Sequence, residues 1–300
     1  MGTPVLAADL VPLVKTDEPM SRHTSWHVGG PAQMYFTPRD RRDLARFLAA
    51  LPAGVPVLWL GLGSNLLVRD GGVRGAVIAT NSALGGLERR SAESVYCEAG
   101  VACARIAKQC VKWGLGPAEF FAGIPGTLGG ALAMNAGAFG GETWNHVVSV
   151  EVIDRSGREH TRAAGEYQVG YRSVRPPAPD EGFVAALLRF SRRPSMQSHE
   201  IRALLEKRKA TQPIGEWSGG STFTNPPGDH AARLIEAAGL KGHRIGGASV
   251  STKHANFIIN HGDATAADIE ALILHVQAVV EAQAGVRLTP EVRIVGEAKP

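Results

Sequence analysis

A glycine-rich stretch between Pro117 and Glu142 constrains this sequence more than any other segment. It reads PAEFFAGIPGTLGGALAMNAGAFGGE and contains seven glycines. The apolar residues between the glycines are Phe120, Phe121, Ile124, Leu128, Leu132, Met134 and Phe139. A flexible linker would be rich in glycine and serine and would lack such apolar anchors. Because glycine allows positive φ and lets backbone N–H groups approach an anion closely, the stretch predicts a buried loop around a phosphate-bearing cofactor.

The composition is that of a soluble globular protein. The chain has 300 residues, of which 44% are hydrophobic and 20% are charged, and this length predicts about two domains. The formal net charge of +4 is spread along the sequence. Its one dense cluster, at residues 206–209, fits a solvated helix end better than a nucleic-acid surface. We therefore expect no nucleic-acid partner, and the basic balance suits an acidic small molecule.

Cysteine usage and hydropathy favour a cytoplasmic protein. The chain contains three cysteines and no Cys-x-x-Cys pair, so neither a disulfide framework nor a bound metal is expected. Cys103 and Cys110 would lie two turns apart on one predicted helix and face the core. The N-terminus has no basic region followed by an apolar run, and no apolar stretch is long enough to cross a bilayer. We expect no membrane insertion.

The order of the predicted elements indicates an α+β protein. Asp40 is a candidate N-cap for a helix that ends at Leu51. Thr265 and Asp268 form a candidate capping box for a long apolar-faced helix near the C-terminus. The other predicted helices are at 102–113, 198–210 and 229–238, and the main predicted strands are at 33–37, 57–60, 66–68, 76–80, 94–98, 147–154, 183–190 and 255–260. A composition shift at Pro194 and Ser195 marks a domain boundary.

A second glycine motif, Gly-Leu-Gly-Ser-Asn-Leu at residues 61–66, follows a predicted strand directly. It is not a dinucleotide fingerprint, because Leu66 stands where the third glycine belongs and no clear helix follows. Alone, it fits either a phosphate-binding turn or a plain connection between strands. The glycines of the 117–142 stretch could likewise mark a tight strand crossing. Two such loops, both flanked by apolar residues, favour one shared ligand that contains a pyrophosphate.

Other segments contain chemically useful side chains, and each has an ordinary structural alternative. Arg172 offers a planar fork of donors for a carboxylate or phosphate, or is a solvated surface arginine. Ser221, in a polar Gly-Gly-Ser segment, could donate a proton, although a turn explains it as well and GxSxG is absent. Glu291 begins a C-terminal strand and could pair with Arg293. We interpret His254 as a strand-entry residue rather than a base.

Seven blocks, in order along nearly the whole chain, resemble the UDP-N-acetylenolpyruvoylglucosamine reductases, the MurB-type flavoenzymes of peptidoglycan precursor synthesis. The blocks are TSWHVGGPA, LGLGSNLLVRD, AGIPGTLGGALAMNAGAFGGE, GYRS, GGSTFTNP, LIEAAGLKGHRIGGASVSTKHANFIIN and LTPEVRIVG. The resemblance implies an FAD-binding half of the vanillyl-alcohol-oxidase type, built from two α+β subdomains at 1–72 and 73–194. It also implies a C-terminal α+β substrate domain at 195–300, whose last strand could return to the first subdomain.

The resemblance implies FAD as cofactor and NADPH as co-substrate. In that family, NADPH reduces the flavin and leaves, and UDP-N-acetylglucosamine enolpyruvate then accepts the hydride at C3 of its double bond. The implied cofactor-binding residues are Gly61, Leu62, Gly63, Ser64, Asn65, Leu66, Gly123, Ile124, Pro125, Gly126, Gly129, Gly130, Ala131, Asn135, Gly137 and Ala138.

Three residues match the family's catalytic positions. Hydride addition at C3 moves negative charge toward C2 and the carboxylate, and Arg172 would supply positive charge where that charge develops. Glu291 would act beside it as a protonated carboxyl or through a water, so its pKa should be raised. Ser221 would deliver the proton to C2, with a relay to replace it. The implied substrate contacts are Tyr171, Asn225 and Arg293.

Two positions depart from the family pattern. Val174 stands two places after the Tyr-Arg motif, where the family usually has a serine, and Thr224 replaces a common lysine that would be a natural phosphate contact. The short, proline-rich segment after Arg172 resembles the branch of the family without an extra tyrosine-bearing loop. The alternatives are another flavoprotein of the same fold, such as an oxidase of alcohols or hydroxy acids, and a non-catalytic flavin- or sugar-nucleotide-binding protein. We expect a monomer.

Overall fold

The computed structural model of the protein describes residues 6–194 and 198–299. Residues 1–5 and the predicted boundary residue Ser195 lie outside that range. The described chain forms two compact units. Unit 1 contains residues 6–15, 34–62, 75–194 and 198–206, and unit 2 contains residues 16–33, 63–74 and 207–299. None of the helices in the described part is long and apolar enough to span a membrane.

The α-helices are α1 (Arg41–Ala50), α2 (Cys103–Lys112), α3 (Leu128–Met134), α4 (Ser198–Thr211), α5 (Ala231–Ala237) and α6 (Ala266–Ala284). The strands are β1 (Val14–Pro19), β2 (Pro31–Phe36), β3 (Val57–Leu60), β4 (Leu66–Val68), β5 (Val73–Ala79), β6 (Leu87–Arg89), β7 (Ser94–Glu98), β8 (Leu115–Gly116), β9 (Gly137–Ala138), β10 (Gly141–Glu142), β11 (Val147–Ile153), β12 (Glu159–Ala163), β13 (Gln168–Gly170), β14 (Ser173–Arg175), β15 (Gly182–Arg189), β16 (Ser191–Arg192), β17 (Trp217–Ser218), β18 (Arg244–Ile245), β19 (Ala248–Val250), β20 (Ile258–Asn260) and β21 (Arg293–Val295).

The first core of unit 1 forms around α1. The carboxylate of Asp40 accepts a hydrogen bond from the N–H of Asp43 at 2.9 Å, so the predicted N-cap is confirmed. Leu44 and Phe47 are fully buried, and the ring of Phe47 stacks on Phe36 with centroids 3.8 Å apart. Strands β3 and β5 pair in parallel as neighbours in the sheet order β1-β2-β5-β3.

The second core of unit 1 lies between an antiparallel sheet, in the order β12-β11-β15-β7-β6, and the helices α2 and α3. Cys103 and Cys110 are fully buried on α2, which confirms that they face the core. Burial raises the pKa of both thiols, that of Cys110 to about 12. These two cysteines therefore stay protonated at neutral pH and act as small apolar side chains.

Unit 2 forms around a sheet in the order β17-β20-β19-β18, on which α5 and α6 pack. The predicted capping box of α6 is confirmed, because Thr265 Oγ1 accepts from the Asp268 N–H at 3.1 Å and Asp268 accepts from the Thr265 N–H at 2.9 Å. The Asp70 carboxylate accepts from the next two N–H groups, those of Ala266 and Ala267, each at 3.0 Å. An acidic side chain at a helix N-terminus is stabilising there.

The predicted strand at 255–260 begins later than expected. β20 starts at Ile258, because the Phe257 N–H donates to the His254 carbonyl at 3.0 Å and closes a turn before the strand. The interpretation of His254 as a strand-entry residue is therefore wrong. Burial lowers the pKa of its imidazole, which favours the neutral form.

The C-terminal strand β21 pairs in parallel with β4, with Arg293 opposite Leu66. The segment before β21 contains Glu291, and the segment before β4 contains Asn65. This pairing therefore brings two predicted site segments side by side within unit 2.

Candidate functional site

The stretch at 117–142 in unit 1 contains more regular structure than the predicted loop. It begins with a 3-10 turn at Glu119–Gly123, continues through the seven-residue helix α3, and ends in the β9–β10 hairpin. Leu128 and Leu132, four residues apart, are fully buried and attach α3 to the core. The four-residue spacing of these leucines and the threonine directly before the first of them are sequence signals for a helix. The many glycines of the stretch concealed these signals.

Most of the predicted apolar anchors of this stretch are buried, but Phe139 is not. Its side chain is 39% exposed at the tip of the β9–β10 hairpin, where Phe139 and Gly140 both have positive φ. A two-residue hairpin turn with positive φ at both positions matches the twist of the flanking strands. Phe139 is therefore a turn residue, and its assignment as a core anchor was wrong.

Several glycines of the stretch are required by close packing. A Cβ at Gly123 would lie 2.6 Å from the Ala138 Cβ, and one at Gly141 would lie 2.6 Å from the Phe120 ring. A Cβ at Gly137 would collide with the Gly141 carbonyl oxygen. None of these three has positive φ. The structural alternative to phosphate binding, a crossing too close for any side chain, therefore accounts for these three glycines.

The two predicted glycine motifs meet within unit 1 at Gly61 and Thr127. A Cβ at Gly61 would collide with Thr127 Oγ1, whereas one at Gly130 would have no heavy atom nearer than that same oxygen, at 4.0 Å. Thr127 is 1% exposed, and its hydroxyl has no hydrogen-bond partner among the described residues. An unpaired buried hydroxyl is costly. The open face of Gly130 leaves room for a ligand oxygen or phosphate near that hydroxyl.

The first backbone donors of α3 are used within the protein. The Leu128 N–H donates to the Val101 carbonyl at 2.9 Å, and the Gly129 N–H donates to the Ala99 carbonyl at 2.8 Å. These two groups therefore fix the helix N-terminus against the segment that precedes α2. The predicted contact between Gly129 and the cofactor stays a prediction.

Tyr171 and Arg172 form the two-residue tip of the β13–β14 hairpin in unit 1. Arg172 has a φ of 52°, and its guanidinium donates from Nη1 to the Asn135 carbonyl at 3.2 Å and from Nη2 to the Gly137 carbonyl at 3.0 Å. The guanidinium carbon also lies 5.2 Å from the centre of the Tyr171 ring. Arg172 is thus bound to the backbone of the glycine-rich stretch, and the solvated-arginine alternative is wrong.

In unit 2, the turn after Gly61-Leu62 requires a glycine at Gly63. Gly63 has a φ of 63°, and a Cβ there would collide with the His23 carbonyl oxygen. The Gly63 carbonyl accepts from the Ser25 N–H at 3.3 Å, and the Ser25 hydroxyl has no partner among the described residues. Only glycine fits this position.

Backbone hydrogen bonds within unit 2 bring together the segments of Asn65, Ser221 and Glu291. The Glu291 N–H donates at 2.8 Å to the carbonyl of Thr222, the residue after Ser221. The Asn65 amide donates at 3.1 Å to the Glu291 carbonyl. The backbone of Glu291 thus pairs with the residue after Ser221 and with the side chain of Asn65.

The Ser221 segment is held in place by Asn256, which no sequence motif indicated as a site residue. The Asn256 carbonyl accepts from the Thr222 N–H at 2.8 Å, and its side chain pairs with both backbone groups of Phe223, at 2.9 and 2.8 Å. Asn256 is buried, and a single asparagine distant in sequence gave no signal for this role. The Thr222 hydroxyl is fully buried without a partner among the described residues.

The remaining predicted substrate residues are also in unit 2. The Asn225 side-chain oxygen accepts from the N–H of Ala231, the first residue of α5, at 3.1 Å. Arg293 is exposed, and its N–H donates to the Asn65 carbonyl at 2.9 Å. Asn225 therefore also has a structural role at the start of α5.

Comparison with known proteins identifies the family. Residues 32–162 match the FAD binding domain family, and residues 212–295 match the C-terminal domain of UDP-N-acetylenolpyruvoylglucosamine reductase. The chain is 59% identical over 284 residues to the UDP-N-acetylenolpyruvoylglucosamine reductase of Alkalilimnicola ehrlichii, with 94% of each chain covered. It is 57% identical to the reductase of Methylococcus capsulatus, covering 94% of this chain and 93% of that one. The chain belongs to the UDP-N-acetylenolpyruvoylglucosamine reductase family.

The solved structures agree with this assignment. The crystal structure of the reductase from Thermus caldophilus superposes with a TM-score of 0.76 at 33% identity, covering 92% of this chain and 97% of that chain. The predicted fold class is confirmed in that the protein is α+β, with an FAD binding domain and the C-terminal domain of this reductase family. The protein is an FAD-dependent oxidoreductase.

The residues present fit FAD. In unit 1, the buried Thr127 hydroxyl and the open face of Gly130 offer a donor and space for a phosphate oxygen. In unit 2, the Ser25 hydroxyl is likewise without a partner among the described residues. Buried polar groups without partners are rare, and a ligand that accepts from them explains their presence.

We expect Thr127→Val to weaken FAD binding about tenfold, because a hydrogen bond to a charged phosphate is lost without a change of shape. Titration of FAD into the apoprotein measures the Kd. Thr127→Ser, which keeps the hydroxyl, is the matched control and should bind FAD nearly as well as the unmodified protein. Since the hydroxyl is unpaired in the protein itself, the valine apoprotein should be no less stable to denaturant. Unchanged FAD affinity in the valine variant would remove Thr127 from the cofactor site.

Proposed function

We propose that the protein reduces UDP-N-acetylglucosamine enolpyruvate to UDP-N-acetylmuramate with NADPH, in peptidoglycan precursor synthesis. Family membership supports this proposal. The single observation that supports it most directly is the backbone bond from the Glu291 N–H to the Thr222 carbonyl, which fixes Ser221 and Glu291 in adjacent segments. A flavin- or sugar-nucleotide-binding protein without catalysis would not need this pair.

FAD, when bound, accepts a hydride from NADPH and supplies it to C3 of the enolpyruvyl group. The electron pair of the double bond then lies on C2 and the adjacent carboxylate. Fixed donors aimed at that charge lower the barrier, because they need no reorganisation during the reaction. The guanidinium of Arg172 has this role in our proposal, since two carbonyl bonds already hold it in place.

Ser221 supplies the proton that completes the addition at C2. A serine hydroxyl is a weak acid, so it donates only to a strongly basic carbon centre and requires a proton relay behind it. Glu291 acts beside the developing charge in its protonated form or through a water. An ionised carboxylate there would repel the negative charge.

Tyr171, Asn225 and Arg293 contact the sugar nucleotide in this proposal. Tyr171 is half exposed at the hairpin tip and Arg293 is exposed, so both are accessible to a ligand. Thr224 replaces the lysine of other family members, so fewer positive charges are available for the diphosphate. The proposal includes a cytoplasmic monomer with subdomains at 1–72 and 73–194 and a substrate domain at 195–300.

Anaerobic spectroscopy of the purified, yellow protein tests the function. NADPH should bleach the flavin absorbance, and UDP-N-acetylglucosamine enolpyruvate should then restore it and yield UDP-N-acetylmuramate. The matched control receives buffer in place of the sugar nucleotide and should stay bleached. A colourless protein without affinity for FAD would contradict the proposal. So would a reduced flavin that is reoxidised by an alcohol-derived carbonyl compound but not by UDP-N-acetylglucosamine enolpyruvate.

Ser221→Ala should separate the two half-reactions. Because the hydroxyl is required only for protonation at C2, NADPH should still bleach the flavin at a normal rate, whereas reoxidation by the enolpyruvyl sugar nucleotide should slow by about 100-fold or more. Stopped-flow absorbance measures both rates. Ser218→Ala, three residues earlier at the end of β17, is the control and should leave both rates close to normal. Equal losses in the two half-reactions would show that Ser221 is structural.

Arg172→Lys should also impair reoxidation selectively. A lysine has one nitrogen and cannot donate from two separate atoms to the Asn135 and Gly137 carbonyls as the guanidinium does. We expect reoxidation to slow by about 100-fold, with near-normal reduction by NADPH. Arg175→Lys, on the same hairpin, is the control. Near-normal reoxidation in Arg172→Lys would remove Arg172 from the catalytic set.

A further inference from the structure

We propose that Asn135 is a positioning residue for Arg172, and that Glu142 fixes the orientation of the Asn135 amide. The resemblance implied a different role for Asn135, contact with the cofactor, and Glu142 had no role. This inference rests on the proposed function, because it concerns the placement of the arginine that acts on the substrate.

The hairpin that contains Arg172 cannot hold its own position. β13 and β14 have three residues each and pair only with one another within the described part of the chain. An isolated two-stranded hairpin is marginally stable in water. The place of Arg172 is therefore determined by what the hairpin contacts.

Asn135 makes contacts to both ends of the segment from Gly170 to Arg172. Its carbonyl accepts from Arg172 Nη1 at 3.2 Å, and its side-chain Nδ2 donates to the Gly170 carbonyl at 3.1 Å. Arg172 also donates to the Gly137 carbonyl at 3.0 Å. One buried residue thus fixes the backbone before the arginine and the guanidinium itself.

The geometry of Asn135 suits this role. It is the C-cap of α3, with φ 47° and ψ 53°, in the left-handed region that asparagine tolerates better than most residues. The residue is buried, with only 2% of its surface exposed. Because α3 is attached to the core by two buried leucines, its C-cap is a rigid base for the hairpin.

The hydrogen bonds around the Asn135 amide determine which end is nitrogen. Oδ1 accepts from the Trp144 N–H at 3.1 Å, and Nδ2 donates to Glu142 Oε2 at 3.0 Å as well as to Gly170. Both protons of Nδ2 therefore have acceptors. Glu142 makes an oxygen at the Nδ2 position unfavourable, because the amide oxygen and the carboxylate oxygen are both acceptors and would face each other without a proton between them.

These hydrogen bonds explain why an asparagine stands at position 135. A side chain at position 135 must accept from Trp144, donate to Gly170 and Glu142, and adopt a left-handed backbone. Asparagine meets all three conditions. Its amide is used by protein groups on both sides, which supports a positioning role rather than a direct cofactor contact through the side chain.

A swap of hydrogen-bond partners tests the proposal. Asn135→Asp keeps the acceptor for Trp144 but places a carboxylate oxygen against Glu142 and the Gly170 carbonyl. Asn135→Asp with Glu142→Gln supplies a donor amide opposite the new carboxylate and restores one bond. Glu142→Gln alone keeps an acceptor for Asn135 and is the matched control. The measurements are the Kd for FAD of each apoprotein, the rate of flavin reduction by NADPH, and the rate of reoxidation by UDP-N-acetylglucosamine enolpyruvate.

We expect Asn135→Asp to slow reoxidation by at least about tenfold, since a small displacement of a catalytic group is costly. The Kd for FAD and the rate of reduction by NADPH should change by no more than about threefold, because Arg172 does not act in either step. The double variant should recover most of the lost rate, and Glu142→Gln alone should lose at most about threefold.

Three outcomes would overturn the inference. Near-normal reoxidation in Asn135→Asp would show that Arg172 does not depend on Asn135. A weaker FAD affinity that accounts for the whole loss would assign Asn135 to the cofactor instead. No recovery in the double variant, with FAD bound, would remove Glu142 from the arrangement. If the unmodified protein does not reduce the enolpyruvyl sugar nucleotide at all, the proposed function fails first, and this failure is distinguishable from the others.

Discussion

The burial of Leu128 and Leu132 is the constraint on which the unit 1 part of the site depends. A helix of seven residues is far too short to be stable alone, so α3 exists because its apolar side packs in the core. Each end of α3 then presents a functional group: Thr127, with its unpaired hydroxyl, precedes the helix, and Asn135, which contacts the Arg172 hairpin, ends it. Thr127, which we expect to contact the cofactor, and Asn135, which we propose to position the arginine, are thus separated by a fixed distance along one helix.

In unit 2, the predicted site segments are held in position by hydrogen bonds to other segments rather than by a helix. The Ser221 segment has little regular structure of its own, and Asn256 replaces the missing strand partners with its carbonyl and its side-chain amide. A buried asparagine whose amide pairs with both groups of one residue imitates a strand and leaves no polar atom of that pair unsatisfied. The Glu291 N–H completes the pairing on Thr222. The hydroxyl of Ser221 is therefore carried by a backbone that neighbouring segments hold in place.

Sequence periodicity predicted most of the long elements, because their apolar positions repeat over several turns or strand residues. α1, α2, α6, β3, β7 and β11 were all predicted at nearly their observed positions. The helix α3 was missed because two adjacent glycines in a glycine-rich stretch concealed its helix-favouring alanine, leucine and methionine residues, and a helix of seven residues is stable only through tertiary packing. Ordered motifs gave the family and hence the cofactor. The structural role of Asn256 and the proposed roles of Thr127 and Asn135 could not be predicted, since each depends on contacts between residues that are distant in sequence or on which hydroxyl remains unpaired after folding.

Three non-glycine residues in the glycine-rich stretch and the Arg172 hairpin have positive φ angles, which strain the backbone. Asn135, Phe139 and Arg172 have φ of 47°, 52° and 52°, although none is glycine. Left-handed backbone costs a non-glycine residue about 1–3 kcal/mol and persists only where the surroundings over-determine it. Asn135 is fixed by three side-chain hydrogen bonds, and Arg172 by two bonds to carbonyls. Glycine would remove the strain at both positions, but it would also remove these bonds. Asparagine and arginine therefore stand at positions 135 and 172 despite the strain, because the bonds of their side chains hold the hairpin and its guanidinium in place.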